Sequence, residues 1–305
     1  MQLSIIIPTK ERDEIFAKTL SAAANAIRHL QAEIIVVNDS KISILVIPKD
    51  ADNIKLVSNP KAGVASARNA GVKNSSGDLL LFLDNDIVIS KDSIDHVIGL
   101  HNQYEMACFN VDWRYPLALQ DLLSKSSFGR FALTHGMTSF KGWYNDSSWQ
   151  DNALFTSSSV ASFHLSVSRK NFDRTGGYNE QFPHAGFEDY DFPTKLKKAG
   201  LTFYIDSRMV VDHNESDRLG LDNWLNNQER RAATRKVAVN LGYNGLQLHY
   251  GLTKRFLLSG INFFYPLLHT FLKICPNNNF FDPLYFKWVS SIQAARIYKG
   301  YTSIA

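Results

Sequence analysis

Short apolar runs and amphipathic stretches alternate through the first hundred residues. Leu3-Ser4-Ile5-Ile6-Ile7 is apolar and β-branched and is stopped by Pro8, which is how a strand buried on both faces reads. Between residues 13 and 30, Ile15, Thr19, Ala22, Ala23, Ala26 and Leu30 fall on one helical stripe. Residues 33–37, 54–57 and 79–83 predict three further strands, the last almost wholly apolar. Residues 63–73 predict a helix, and Ile94, Val97, Ile98 and His101, at i, i+3, i+4 and i+7, predict another. Strands alternating with helices in this way predict an open, mostly parallel α/β sheet with helices on both faces.

Further along, the periodicity weakens. Residues 110–158 are rich in Ser, Gly, Trp and Phe and predict loops and short elements. Residues 160–167 predict a strand, Gly176-Gly177 a turn, and 201–205 and 208–211 two more strands. Residues 191–199 predict a helix with Asp191 as its cap, Pro193 near its start and Gly200 just past its end. Residues 222–241 predict a long polar helix. From Phe256 to Cys275 the chain is apolar, with Lys273 the one formal charge. Twenty such residues have the length of a bilayer span, but Asn262, Pro266, His269 and Thr270 interrupt the run. Beside Arg230, Arg231, Arg235 and Lys236 it also suits an interfacial helix on anionic lipid. A helix covering the domain core is the third reading.

With 305 residues, 45% apolar and 20% charged, the chain has the make-up of a globular protein with a substantial core. A net charge of +4 is too small and too dispersed for a nucleic-acid partner. Cys108 and Cys275 alone exclude a disulfide framework or a Cys-rich zinc site. The opening MQLSIIIPTK lacks a basic segment leading into an apolar one, so a cytoplasmic, reducing compartment is expected. Neither a Gly-x-Gly-x-x-Gly nor a phosphate-binding Gly-x-x-x-x-Gly-Lys motif occurs, which argues against a dehydrogenase or a P-loop enzyme.

Three Asp-x-Asp triplets are present. Asp50-Ala51-Asp52 reads as a solvated turn. Asp84-Asn85-Asp86 differs, because an apolar strand delivers it to the end of the sheet where ligands bind in open α/β folds. Residues i and i+2 of a strand share a face, so Asp84 and Asp86 are expected to converge on a hard divalent cation, Mn²⁺ or Mg²⁺, together with substrate phosphates. Asp189-Tyr190-Asp191 comes directly after Glu188, and an acidic run of this kind is either a solvated helix start or a source of a general base. Trp143, Trp149, Tyr144 and Phe140 form an aromatic cluster that either stacks on sugar faces or packs a core.

The triplets sit within a longer set of blocks. Ile5-Ile6-Ile7-Pro8-Thr9-Lys10-Glu11-Arg12, Val36-Val37-Asn38-Asp39-Ser40 and Gly63-Val64-Ala65-Ser66-Ala67-Arg68-Asn69-Ala70-Gly71 precede Gly77-Asp78 and Leu83-Asp84-Asn85-Asp86. Gly176-Gly177-Tyr178-Asn179-Glu180-Gln181-Phe182, Gly186-Phe187-Glu188-Asp189-Tyr190-Asp191 and His213 come later in the chain. In order and spacing, this series resembles the inverting family-2 glycosyltransferases of the GT-A fold.

The resemblance implies a nucleotide-sugar donor, UDP-linked, held by Pro8, Thr9, Glu11, Arg12, Asp39, Gly63, Arg68, Asp84 and Asn85. Asp86, Asp84 and His213 are then the metal ligands. Asp189 is the base that takes the acceptor proton, and Glu188 orients sugar hydroxyls. The acceptor implied is a glycan or lipid-linked glycan in bacterial surface polysaccharide synthesis. The division expected is a nucleotide-sugar-binding half over 1–106, an acceptor-binding and catalytic half over 107–217, and a helical region over 218–305. Membrane-surface contact is expected through 230–275, with the protein peripheral on the inner face. A sugar-1-phosphate nucleotidyltransferase and an inactive glycan-binding module are the alternative readings.

Overall fold

The computed structural model describes residues 2–41, 52–144 and 146–304. Of the Asp50-Ala51-Asp52 triplet, only Asp52 lies among them. In chain order the elements are β1 (Leu3–Thr9), α1 (Asp13–Ala26), β2 (Ala32–Asn38), β3 (Ile54–Ser58), α2 (Val64–Lys73), β4 (Leu79–Leu83) and β5 (Ile87–Val88). Then come α3 (Lys91–Gln103), β6 (Ala107–Arg114), α4 (Leu117–Ser124), α5 (Ser127–Thr134), α6 (Phe140–Tyr144), β7 (Leu154–Thr156), β8 (His164–Ser168) and α7 (Arg169–Asp173). The last are α8 (Glu188–Lys198), β9 (Thr202–His213), α9 (Leu221–Asn240), α10 (Leu252–Phe263), α11 (Tyr265–Ile274) and α12 (Asp282–Thr302).

Two compact units share these elements. The first comprises residues 1–116, 139–183 and 188–215, and the second 117–138, 184–187 and 216–305. The second unit therefore takes in α4 and α5 from the stretch expected to belong to the acceptor half.

The described strands of the first unit form one sheet in the order β3-β2-β1-β4-β8-β6-β9-β5, with β7 also on β9. β1 pairs in parallel with β2 and β4, and β6 with β9, whereas β8 runs antiparallel to β4 and β6. This is the open, mostly parallel sheet expected. Every residue of β1 and β4 is buried, which fits their unbroken apolar runs. Pro8 lies past Ile6, where the β4 pairing stops, so its missing N–H breaks no bond on that side. The α2 helix packs so tightly on the sheet that a Cβ on Gly71 would lie 2.3 Å from Ile6 Cγ2. One core layer joins Ile6, Val37, Leu80 and Phe82 of the sheet to Ala67 of α2 and Phe192 and Leu196 of α8.

Several elements differ from the sequence expectation. The helix expected to Leu30 ends at Ala26, and Ile27 still turns inward, fully buried. β6 falls where loops were expected, because buried Asn110 and Asp112 interrupt its apolar run. The strand expected over 160–167 begins only at His164, since Asn110 holds the backbone of Ala161 through its side-chain amide. The two strands expected at 201–205 and 208–211 are one, β9, whose register shifts so that Val111 faces Asp206 but Asp112 faces Val210. Such a bulge bends the strand and re-aims the residues beyond it. Asp191 is not a cap: α8 starts three residues earlier, and Asp191 is buried in its first turn, paired with Lys195 at 3.1 Å. Pro193, expected near the helix start, is the sixth residue of α8 and lies inside it, where its missing N–H removes one i→i−4 bond.

The second unit is helical. Its core gathers Phe128 and Phe131 of α5, Leu225 of α9, Leu272 of α11, and Tyr285, Val289 and Ile292 of α12. Arg130 ties α5 to the start of α12 through a two-pronged bond to Asp282, at 2.6 and 2.8 Å. Among the described residues, no helix is long and apolar enough to cross a membrane.

Candidate active site

Past the end of β4 the chain turns through Asp84, Asn85 and Asp86 into the short β5, which pairs Ile87 with His213 at the end of β9. The backbone N–H of Asn214 donates to the Asp86 carbonyl at 2.7 Å. The bulge in β9 and the β5 pairing thus bring Asp86 and His213, 127 positions apart in the chain, side by side: His213 Nε2 is 3.3 Å from Asp86 Oδ1 and 3.9 Å from Glu215 Oε1. The other Asp86 oxygen, Oδ2, accepts from Arg12 Nη1 at 2.5 Å.

Burial alone would raise the Asp86 pKa, but His213 and Arg12 outweigh it and hold the carboxyl well below its usual range. Burial alone would lower His213, but Asp86 and Glu215 push it up to about 9. The Tyr115 hydroxyl donates to Glu215 Oε2, and the rings of Trp113 and Tyr115 meet His213 edge-on.

These residues fit a divalent ion. Among the described residues, Asp86, His213 and Glu215 each offer one ligand atom, and those atoms lie within 4.8 Å of one another. Among the described residues, Asp86 Oδ1 has no regular hydrogen bond beyond its 3.3 Å approach to His213 Nε2, and His213 Nδ1 is buried without a partner, a cost that a ligated ion on Asp86 and a second partner on the imidazole would remove. A mixed carboxylate and imidazole set suits a first-row ion such as Mn²⁺. Asp84, expected to share the ion, stands outside this group because a turn, not a strand, separates it from Asp86.

Asp84 belongs instead to a second cluster around Arg68 of α2. The guanidinium reaches Asp84 Oδ1 at 3.0 Å, Glu188 Oε1 at 3.2 Å and Asp189 Oδ1 at 3.4 Å, and lies over the Tyr178 ring at 5.2 Å. Its burial would favour the neutral form, but Asp189, Tyr178, Asp84 and Glu188 together raise its pKa. Burial, and the nearby Asp86 and Asp189 charges, raise Asp84 against the pull of Arg68. Side-chain exposure separates two roles. Arg68 and Glu188 keep 3% and 1%, whereas Asp84 and Asp189 keep 37% and 30%. Asp84 and Asp189 are therefore the more accessible members, while Glu188, expected to orient sugar hydroxyls, is buried against Arg68. Asp189 Oδ1 also accepts from the Ser162 hydroxyl, which is joined to Tyr178.

The remaining predicted donor residues line the same ends of β1 and β2. Asn85 bridges them, accepting from Arg12 Nη1 at 3.0 Å and donating to Thr9 Oγ1 at 2.9 Å. Glu11 takes a left-handed backbone, φ 51°, and accepts from Ser40 Oγ at 3.3 Å. Asp39 closes the turn into α2, accepting from Asn59 Nδ2 at 2.6 Å and from the Gly63 N–H at 3.1 Å. Gly63 has φ 125°, a conformation that a side chain would strain. Phe140 is 1% exposed, in edge or tilted contact with Trp143, Tyr144, Trp149 and Phe163. It is packing, while Trp143 keeps 48% exposure at its edge.

Sequence reasoning missed Glu215, Tyr115 and Ser162. The His213-x-Glu215 spacing, two carboxylate-or-imidazole ligands on one face past a strand end, was the available signal for the first. Nothing local to Tyr115 or Ser162 points to the site.

A sequence model described as glycosyl transferase family 2 matches residues 4–174. The chain is 23% identical over 234 residues to the O-antigen biosynthesis protein RfbC of Myxococcus xanthus, covering 70% of this chain and 17% of that protein. The curated relatives it matches are longer, and it spans from 13% to 65% of their length. In structure it is similar to the mannosyltransferase PcManGT from Pyrobaculum calidifontis in complex with GDP-Man and Mn²⁺, with a TM-score of 0.56 at 13% identity over 97% of this chain and 86% of that one. It is likewise similar to S. aureus TarS 1-349 in complex with UDP-GlcNAc, with a TM-score of 0.51 at 13% identity over 99% and 91%. At such identities the likeness speaks for the fold, and that fold is GT-A.

Proposed function

The chain belongs to glycosyl transferase family 2, and from that premise we propose that it transfers a sugar from a uridine diphosphate sugar to a hydroxyl of a glycan or lipid-linked glycan, with inversion at the anomeric carbon. The observation that carries this reading is the reach of one buried guanidinium, Arg68, which fixes both a donor-side carboxylate, Asp84, and a candidate base, Asp189.

In this reading Pro8, Thr9, Glu11, Asp39 and Asn85 border the nucleotide at the ends of β1 and β2. Arg12 orients Asp86 by occupying one of its oxygens. Asp86, His213 and Glu215 would hold a divalent ion, which would supply positive charge to the diphosphate leaving group. Asp189 takes the acceptor proton. Among the described residues, the hydrogen bonds it accepts fall on Oδ1, which leaves Oδ2 for the acceptor hydroxyl, as a general base requires. Arg68 and Glu188 keep that carboxylate in place. The relative named for O-antigen biosynthesis supports a surface-polysaccharide setting, and the protein works on the inner face of a membrane, reached through the 230–275 region.

The test is to incubate the chain with a panel of UDP-sugars and Mn²⁺ and separate the nucleotide products. UDP release, increased by a glycan acceptor, is the expected result. Formation of UTP when pyrophosphate is added would assign a sugar-1-phosphate nucleotidyltransferase instead. Binding without either product would leave an inactive glycan-binding module.

A further inference from the structure

The basic residues that the sequence sets beside the apolar run do not form one open patch. Arg235 Nε donates to the Leu246 carbonyl at 2.7 Å and its guanidinium lies over Phe187, while Lys236 lies over Tyr301. The apolar run itself is not buried as a core helix. In α11, Tyr265, Leu268, Leu272 and Cys275 turn inward onto the helical core. One position earlier at the same helical spacing, Phe264, Leu267, Phe271 and Ile274 turn outward, and Ile274 is 72% exposed. Between these two apolar faces, Pro266, Thr270 and Lys273 make a narrow exposed strip, so the helix is polar along one edge and apolar across the rest. In α10 the same division leaves Leu252, Phe256 and Phe263 outward, at 83%, 85% and 78% exposure, with Leu258 buried. Phe280, in the connection to α12, is 85% exposed. Isolated exposed apolar side chains are ordinary, but a contiguous set along two successive helices marks a surface that another phase or molecule covers.

Charge selects the occupant. Between Glu229 and Asp282 the chain carries no Asp or Glu, whereas Lys254, Arg255 and Lys273 stand on the two helices themselves. The acid that meets α11, Asp222, is already held by His269 Nε2 at 2.5 Å, so a second copy applied to the same face would set these cations against one another with no acid of either helix to pair them. An anionic lipid surface accepts both features, taking the phenylalanines and leucines into the acyl boundary and the three cations among the headgroups.

We infer that the outward face of α10 and α11, with Phe280, is a monotopic docking surface for anionic lipid. This names the partner surface within the membrane-associated reading above and does not depend on the transferase chemistry. The experiment is flotation of the full chain with vesicles of phosphatidylcholine, with and without about one third phosphatidylglycerol. Binding to the anionic vesicles, weak binding to the neutral ones and loss of binding as salt rises are expected. Phe256→Ser with Leu267→Ser should lower the bound fraction on the order of tenfold or more, because two anchoring side chains are removed. Both residues are exposed, so thermal unfolding and UDP release on a soluble acceptor should stay as in the wild type.

Absence of vesicle binding at low salt overturns the inference, and so does unchanged binding by the double variant. Lipid-free light scattering that shows a dimer, dissociated by the same substitutions, would also overturn it by making the face a subunit interface. Vesicle binding without UDP release would sink the transferase reading and leave this one standing. UDP release without vesicle binding would do the reverse.

Discussion

Asp189 and Glu188 are neighbours in sequence and opposites in environment. The first keeps 30% side-chain exposure and the second 1%. Asp189→Asn keeps the hydrogen bonds on one side and removes the ability to take a proton, so kcat should fall by ~10²–10⁴-fold, with UDP binding little changed. Glu188→Gln should act on stability, by about 1–3 kcal/mol, because it weakens a buried charge-assisted bond to Arg68. Steady-state kinetics beside denaturant unfolding separates the two. If Glu188→Gln loses turnover while Asp189→Asn keeps it, the base has been placed on the wrong carboxylate. The adjacency of two acids was legible in the sequence, but which one is buried was not. That depends on Arg68, 120 residues away. Asp191 failed for a related reason: a carboxylate early in a helix pattern reads as a cap, and only the start of α8 at Glu188 shows it to be inside.

At the scale of elements, α2 connects packing to chemistry. It carries Arg68 at the site end, and three residues on it presses Gly71 against Ile6. Gly71→Ala would place a Cβ 2.3 Å from Ile6 Cγ2 in a fully buried layer. Overpacking of this kind costs about 1–3 kcal/mol, and the shift of α2 needed to relieve it also moves Arg68. We therefore expect a lower unfolding midpoint together with a lower kcat, and a variant with the wild-type midpoint would show that the helix has room.

The parallel strands β1, β2 and β4 were legible because burial on both faces leaves unbroken apolar runs. β6 and the bulged β9 were not. β6 carries Asn110 and Asp112 inside the sheet, and β9 is interrupted at 206–210, where Asp206 turns to bond Arg208 and His96. Those two strands build the His213 end of the site. The sequence pattern therefore puts Asp84 beside Asp86 and His213, whereas in the structure Glu215 is the carboxylate that stands with them.

Across the whole molecule, an α/β unit bearing two charged clusters is joined in one chain to a helical unit with an uncovered apolar face. The blocks from residue 3 to His213 carried the fold class into view and named Arg68, Asp84, Glu188 and Asp189, the members of the second cluster, since each block is local in sequence. The recruitment of 117–138 to the helical unit is long-range and left no periodic trace.

The central claim is that Asp86, His213 and Glu215 make a divalent-ion site that serves a nucleotide diphosphate. The direct measurement is calorimetric titration of UDP into the wild type and into Asp86→Ala, each with Mn²⁺ and again with excess chelator, with unfolding curves to verify that the variant is folded. The account predicts that Mn²⁺ tightens UDP binding to the wild type and that both the chelator and the substitution abolish the gain. Equal UDP affinity in all four titrations would contradict it.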